Sequence, residues 1–192
     1  MGPLCLLILT NDALTNTHHR WKYVGDCTVC VPIDNINANY SALKTTLEQL
    51  QSWTAESRKT INYTETLVMH VCISPVAVPH PQLTLSPHLL QVVRSAKLLG
   101  VTVDDQLTWK QHVTTTVRSA DYRLYMLRRL KSLGIPADEL EGVYLTLVLP
   151  RLMYASLAWS SSLTSHQQQQ LEDVQKRACM IILSPAYTKT TP

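Results

Sequence analysis

Residues 109–130 read WKQHVTTTVRSADYRLYMLRRL. Within this stretch Trp109, Val113, Val117, Ala120, Leu124, Leu127 and Leu130 recur at intervals of three and four, the period of one face of an α-helix. The stripe predicts a continuous amphipathic helix of about six turns. Gly134 and Pro136 follow it, the first suited to a left-handed helix end and the second unable to continue a helix. Further on, Leu140, Val143, Tyr144 and Leu147 predict a second helix, stopped or kinked at Pro150. Thr164 or Ser165 can cap a third, with Leu171, Val174, Ala178 and Ile181 on its core face. Gln167 to Gln170 read as the solvated side of that helix. The three apolar stripes can close as a small helical bundle from local contacts alone.

Upstream of this half the pattern is mixed. Trp21–Tyr23 and Cys27–Val31 are β-prone, and Val24-Gly25-Asp26 between them is a tight-turn candidate. Asn39 is a candidate cap for a helix carrying Tyr40, Leu43, Leu47, Leu50 and Trp53 or Thr54, ending near Ser57. Thr66–Ile73 reads as a buried strand. Residues 74–88 hold Pro75, Pro79, Pro81 and Pro87, which leaves room only for a short edge strand at Leu83–Leu85. Lys97–Val103 predicts another strand with Gly100 inside it, at a bulge or a close backbone approach. The expected fold class is α+β, with a mixed part over residues 1–107 and a helical part over residues 108–192.

The 192 residues are 45% hydrophobic and 16% charged, a globular composition with enough chain for a sizeable core. A net charge of +3 does not by itself mark a nucleic-acid binder. Its distribution says more: from Arg94 to Lys131 eight basic residues stand against three acidic ones, a local excess that can face phosphates or simply keep helices solvated. Five scattered cysteines, an odd number, argue against a disulfide framework and for a reducing, intracellular compartment. The apolar run Leu4–Leu9 is too short for a membrane span and has no basic leader. Cys27-Thr28-Val29-Cys30 is a CxxC on a β-prone run, where residues three apart point to opposite faces; with no second CxxC it is not read as a metal site. No nucleophile elbow, phosphate-binding glycine loop or His-x-Asp iron motif is present.

An ordered series of segments resembles the reverse transcriptase of non-LTR (LINE-type) retrotransposons, particularly the Jockey/CR1-like groups. Gly2-Pro3-Leu4 with Leu6–Asp12 is similar to the family's "GPLLFLLYINDL" segment. Tyr23-Val24-Gly25-Asp26, followed by Cys27-Thr28-Val29, resembles its "YADDTTV" hairpin. Leu47–Trp53, Ile61-Asn62 and Thr66 are similar to the "L..W..…LN..KT" stretch, and Ala96–Val101 to "FKLLGV". Arg123-Leu124-Tyr125, Leu127-Arg128, Tyr144, Tyr154-Ala155 and Gln175–Ala178 are similar to the helical thumb. The resemblance covers nearly the whole chain in the right order. A second and more local likeness joins Trp109–Tyr144 to the helical N-terminal segment of the AlkB-homologue family of tRNA-modifying enzymes; it holds none of the residues that would bind iron or a methyl donor.

The first resemblance implies a partial polymerase palm followed by a thumb. Catalysis in the intact family uses two Mg²⁺ ions held by convergent carboxylates, of which the resemblance implies three. One lies on a strand expected before Gly2, with the fingers. Of the hairpin pair only Asp26 remains as a catalytic, metal-binding position, because Gly25 stands where the pattern carries an aspartate. Glu65 replaces the basic residue of the "KT" pair, and a negative charge there opposes a triphosphate. The expectation is an inactive polymerase with no cofactor of its own. Leu98, Leu99 and Gly100 fall on the primer-gripping hairpin. Arg118, Arg123, Arg128, Arg129 and Lys131 are the expected phosphate contacts, giving weak, sequence-independent affinity for an RNA or DNA duplex. The alternative is a helical module repurposed for nucleic-acid or protein interaction, and no membrane partner is expected.

Overall fold

Tyr23 and Asp26 face each other as the last register pair of a hairpin of β1 (Arg20–Tyr23) and β2 (Asp26–Val29), which run antiparallel. The computed structural model describes residues 14, 20–23, 26–33, 40–72, 82–85 and 87–184. The expected "GPLLFLLYINDL"-like segment, Gly25 and the candidate cap Asn39 lie outside the described residues. The chain divides into two compact units, Met1–Arg94 and Ser95–Pro192.

In the first unit, α1 (Ser41–Glu56) sets Leu43 and Leu47 on a small core of Leu83, Leu85 and Leu90, completed by Ile61 and Val68. Short strands frame that core. β4 (Thr84–Leu85) pairs antiparallel with β5 (His88–Leu89), and β3 (Leu67–Val68) pairs parallel with β6 (Gln91–Val92). The strand expected over Thr66–Ile73 is therefore two residues long in the described part, and it is not buried: Leu67 is 41% exposed. Val71 is also exposed, so the run of Val, Met and Ile here did not signal a central strand. β-propensity reports only fit to a half-buried pleated surface, and tertiary packing decides which face is covered.

The second unit opens with a hairpin, β7 (Ser95–Leu98) and β8 (Val101–Asp104), whose register pairs Leu98 with Val101. The single strand expected over Lys97–Val103 is thus two strands. Leu99 (φ +46°) and Gly100 (φ +86°) make the turn between them, the left-handed pair that matches strand twist in a two-residue hairpin. Gly100 belongs at the tip, where the required φ suits a residue without Cβ. Val101 packs with Trp109, Val113 and Trp159, so this hairpin lies with the helices in the compact unit that begins at Ser95.

The long helix α2 (Lys110–Ser132) forms as its periodicity predicts. Val113, Ala120, Leu124 and Leu127 are buried, with Val117 and Leu130 packed beside them. Its start has a less obvious cause. Trp109 sits in the left-handed region (φ +59°) and offers no cap. Asp104, at the end of β8, takes over by accepting from the backbone N–H of Gln106 (3.2 Å), Thr108 (2.9 Å) and Trp109 (2.9 Å). A carboxylate beside the helix N-terminus also meets the favourable end of the helix dipole.

Pro150 does not stop the next helix. α3 (Ala137–Val143) passes into a π-helical turn, Tyr144–Val148, and continues as α4 (Leu149–Met153). Proline lacks the N–H that would bond four residues back and crowds that carbonyl; the wider turn just before it gives the ring room. The extra residue rotates the helical phase, so Val148 is buried while Leu147 is 57% exposed. After α5 (Ser156–Trp159) and a 3₁₀ turn, α6 (Ser165–Leu183) closes the bundle through Val174, Ala178 and Ile181. Gln167 departs from the expected solvated face and is buried. Its side-chain oxygen accepts from the Thr164 N–H (2.8 Å) while its amide donates to the Thr108 carbonyl (2.8 Å). It is at once half of a capping box and a tie between α6 and the start of α2.

Candidate nucleic-acid interface

Asp26 occupies the first position of β2, exposed on the hairpin opposite Tyr23. Arg20 and Lys22 stand on the partner strand. Mg²⁺ takes several oxygen ligands in near-octahedral geometry, and among the described residues no group of three His, Cys, Asp or Glu side chains is gathered where it could hold a metal. Asp26 with its described surroundings does not fit such a site. Glu65 lies in an exposed turn after Asn62.

Leu98, Leu99 and Gly100 form the exposed tip of the β7–β8 hairpin, with Leu98 42% and Leu99 45% exposed. The tip is held from behind by Tyr154, whose hydroxyl donates to the Leu99 carbonyl at 2.7 Å. A Cβ on Gly100 would come within 3.2 Å of the Tyr154 ring. Tyr154 is itself fixed, since its carbonyl accepts from the Trp159 indole N–H at 3.0 Å. Two apolar side chains are thereby presented on a braced turn.

The five cationic residues expected on α2 separate into two groups. Lys131 points at the C-terminus of α6, where its ammonium meets the carbonyls of Ile181, Ile182 and Ser184 and the Ser184 hydroxyl. That is a helix C-cap, in the position where a cation offsets the negative end of the dipole. Arg123 folds back onto the Ser119 carbonyl (2.8 Å) and hydroxyl (2.6 Å). Arg118, Arg128 and Arg129 are exposed, and their guanidinium groups make no hydrogen bond or ion pair with the described residues. Asp121 is the sole carboxylate on α2, and Arg177 of α6 holds it in an ion pair at 2.7 Å. The pairing engages the one carboxylate of α2, while Glu139 and Glu141, the other acidic residues expected to oppose phosphate, are exposed on α3.

The same face carries two residues that the sequence reading left out of the site. Tyr122 is 69% and Tyr125 62% exposed. Arg118, Tyr122, Tyr125 and Arg129 follow at intervals of four, three and four, which is the helical period run along the side opposite the core. The signal was present in the sequence. It is found by applying to the polar face the count that was applied to the apolar one.

Across its full length the chain is similar to "Probable RNA-directed DNA polymerase from transposon BS" of Drosophila melanogaster, 26% identical over 211 aligned positions. The relation is reverse-transcriptase-like. The chain spans 22% of the length of that relative. No family model and no solved structure matches the chain. The observed elements are a mixture of helices and small sheets, compatible with the α+β class. No helix among the described residues is long and apolar enough to cross a membrane.

Proposed function

We propose that this chain derives from the palm-to-thumb portion of a retrotransposon reverse transcriptase, is catalytically silent, and binds nucleic acid without sequence preference through α2. The similarity to a transposon polymerase along the whole chain supports the origin. The exposed guanidinium groups of Arg118, Arg128 and Arg129, unpaired among the described residues and on a helix whose one carboxylate is engaged by Arg177, carry the binding reading. Phosphate contacts of this kind fix position on a backbone and hold no sequence information. Catalytic silence is supported by Gly25 in the place of the other hairpin aspartate, the one before Asp26.

The test is fluorescence anisotropy of labelled duplex with the purified chain over a range of salt. Each phosphate contact contributes roughly one unit to the slope of log affinity against log salt. Arg128→Ala with Arg129→Ala is expected to lower that slope by about two. Binding indifferent to salt and to both substitutions would refute the reading. A primer-extension assay with Mg²⁺ is expected to show no incorporation, and extension would refute catalytic silence.

A further inference from the structure

Tyr122 and Tyr125 have no structural task in the bundle. Both rings stand on the solvent side of α2, and neither hydroxyl makes a hydrogen bond with a described residue. Residues three apart on a helix are surface neighbours, about 5–6 Å between Cβ atoms, so the two side chains leave the helix from neighbouring positions. Arg118 lies one turn before the pair and Arg129 one turn after it, the four spanning about 16 Å at the rise of an α-helix. Met126, 48% exposed, adds apolar surface beside the rings.

We propose that this face takes an unpaired nucleic-acid strand, with Tyr122 and Tyr125 as base-stacking platforms and Arg118 and Arg129 as flanking phosphate contacts. The inference rests on the nucleic-acid reading above and narrows its ligand. A duplex keeps its bases stacked on one another, so it can engage the guanidinium groups but leaves both rings idle. An acidic peptide likewise answers the charge and not the rings. An unpaired strand supplies phosphates and free π-faces together, and every base has such a face, so stacking is tolerant of sequence. Interleaved cations and aromatic rings on one face are the elements of a single-strand platform.

The experiment uses the full chain and two labelled probes, oligo-dT and a mixed-sequence duplex of equal length, read by anisotropy. Tyr122→Leu with Tyr125→Leu is expected to weaken oligo-dT binding by about tenfold or more and to leave duplex binding unchanged. Tyr122→Phe with Tyr125→Phe, which keeps both rings, is expected to bind oligo-dT like the parent. Arg118→Ala with Arg129→Ala is expected to weaken both probes and flatten their salt dependence. A thermal melt of each variant verifies that it is folded, as exposed positions require. Unchanged oligo-dT affinity in the leucine variant, or equal competition by polyglutamate, would overturn the inference. Duplex binding without single-strand preference would overturn it while leaving the broader reading intact, and binding of neither probe would defeat both.

Discussion

The Tyr154 hydroxyl donates to the Leu99 carbonyl at 2.7 Å, across 55 residues of chain. This bond joins the connection after α4 to the tip of the β7–β8 hairpin, and the ring of the same tyrosine covers Gly100. Tyr154→Phe is expected to lower stability by about 0.5–1.5 kcal/mol, toward the low end because Tyr154 is 49% exposed. Gly100→Ala is expected to cost more. The left-handed backbone (φ +86°) adds about 1–2 kcal/mol for a residue with Cβ, and that Cβ meets the Tyr154 ring at 3.2 Å. Urea unfolding of the two variants measures the order, and a Gly100→Ala variant as stable as the parent would contradict this geometry.

Lys131 and the Arg128–Arg129 pair are close in sequence and opposite in expected effect. Lys131→Met removes the cation from the C-terminus of α6 and is expected to destabilise the chain by about 1 kcal/mol, with the salt slope of nucleic-acid binding unaltered. The paired Arg→Ala variant is expected to change stability by no more than about 0.5 kcal/mol while altering binding. Denaturant melts alongside binding titrations separate the two. The reverse pattern would return Lys131 to the interface.

Gln167 tests the tie between α6 and α2. Gln167→Leu fills the buried volume but loses the capping box and leaves the Thr108 carbonyl without its donor. Stability is expected to fall by about 1–3 kcal/mol. Gln167→Glu keeps an acceptor for the Thr164 N–H and places a carboxylate against the Thr108 carbonyl, so a partial loss that lessens on acidification is expected. Equal effects of both variants at every pH would show that the Thr108 contact is immaterial.

His112 gives the bundle a pH dependence. It is buried, its Nδ1 accepts from the Thr102 N–H at 3.3 Å, and its ring meets Trp159 edge-on at 5.1 Å between centroids. Burial, with the charge of Arg151 added, holds its pKa below the ordinary histidine value. The folded state therefore favours the neutral ring. The resulting stability is fully present above the unfolded value of about 6.5 and is lost as pH falls from there through the lower folded pKa. Thermal melts between neutral and mildly acidic pH are expected to show the decline, and His112→Leu is expected to flatten it. An undiminished slope in that variant would assign the effect elsewhere.

Asp104 acts in a more acidic window. Burial alone would raise its carboxyl, but the Thr108 backbone and hydroxyl, with the N–H groups of Gln106 and Trp109, together outweigh that and lower it. Its contribution is present above the unfolded value of about 3.9 and is lost as pH falls through the lower folded value. Asp104→Ala is expected to destabilise the start of α2 by about 0.5–2 kcal/mol at neutral pH, near the lower figure because Asp104 is only partly buried. Melts of the variant and parent should converge at low pH.

The helices of the second unit were legible in the sequence because their causes are local. Seven apolar residues at helical spacing between Trp109 and Leu130 require one buried stripe, and Thr164 with Gln167 writes a capping box three residues apart. The β1–β2 hairpin was legible for the same reason, as two β-prone runs around the turn candidate Val24-Gly25-Asp26, of which Asp26 belongs to β2. Other features had no local cause to read. Whether Leu99-Gly100 interrupts a strand or turns it depends on Val101 packing against Trp109 and Trp159. The passage through Pro150 depends on a widened turn that lets Val148 reach the core. The candidate site divides in the same way. The sequence determined that α2 is basic, but the charge of Lys131 is consumed at Ile181–Ser184 and that of Asp121 at Arg177. Those pairings join residues some fifty positions apart, and only close packing of α2 on α6 brings them within reach, which is why the tertiary structure alone decided which charges remain free.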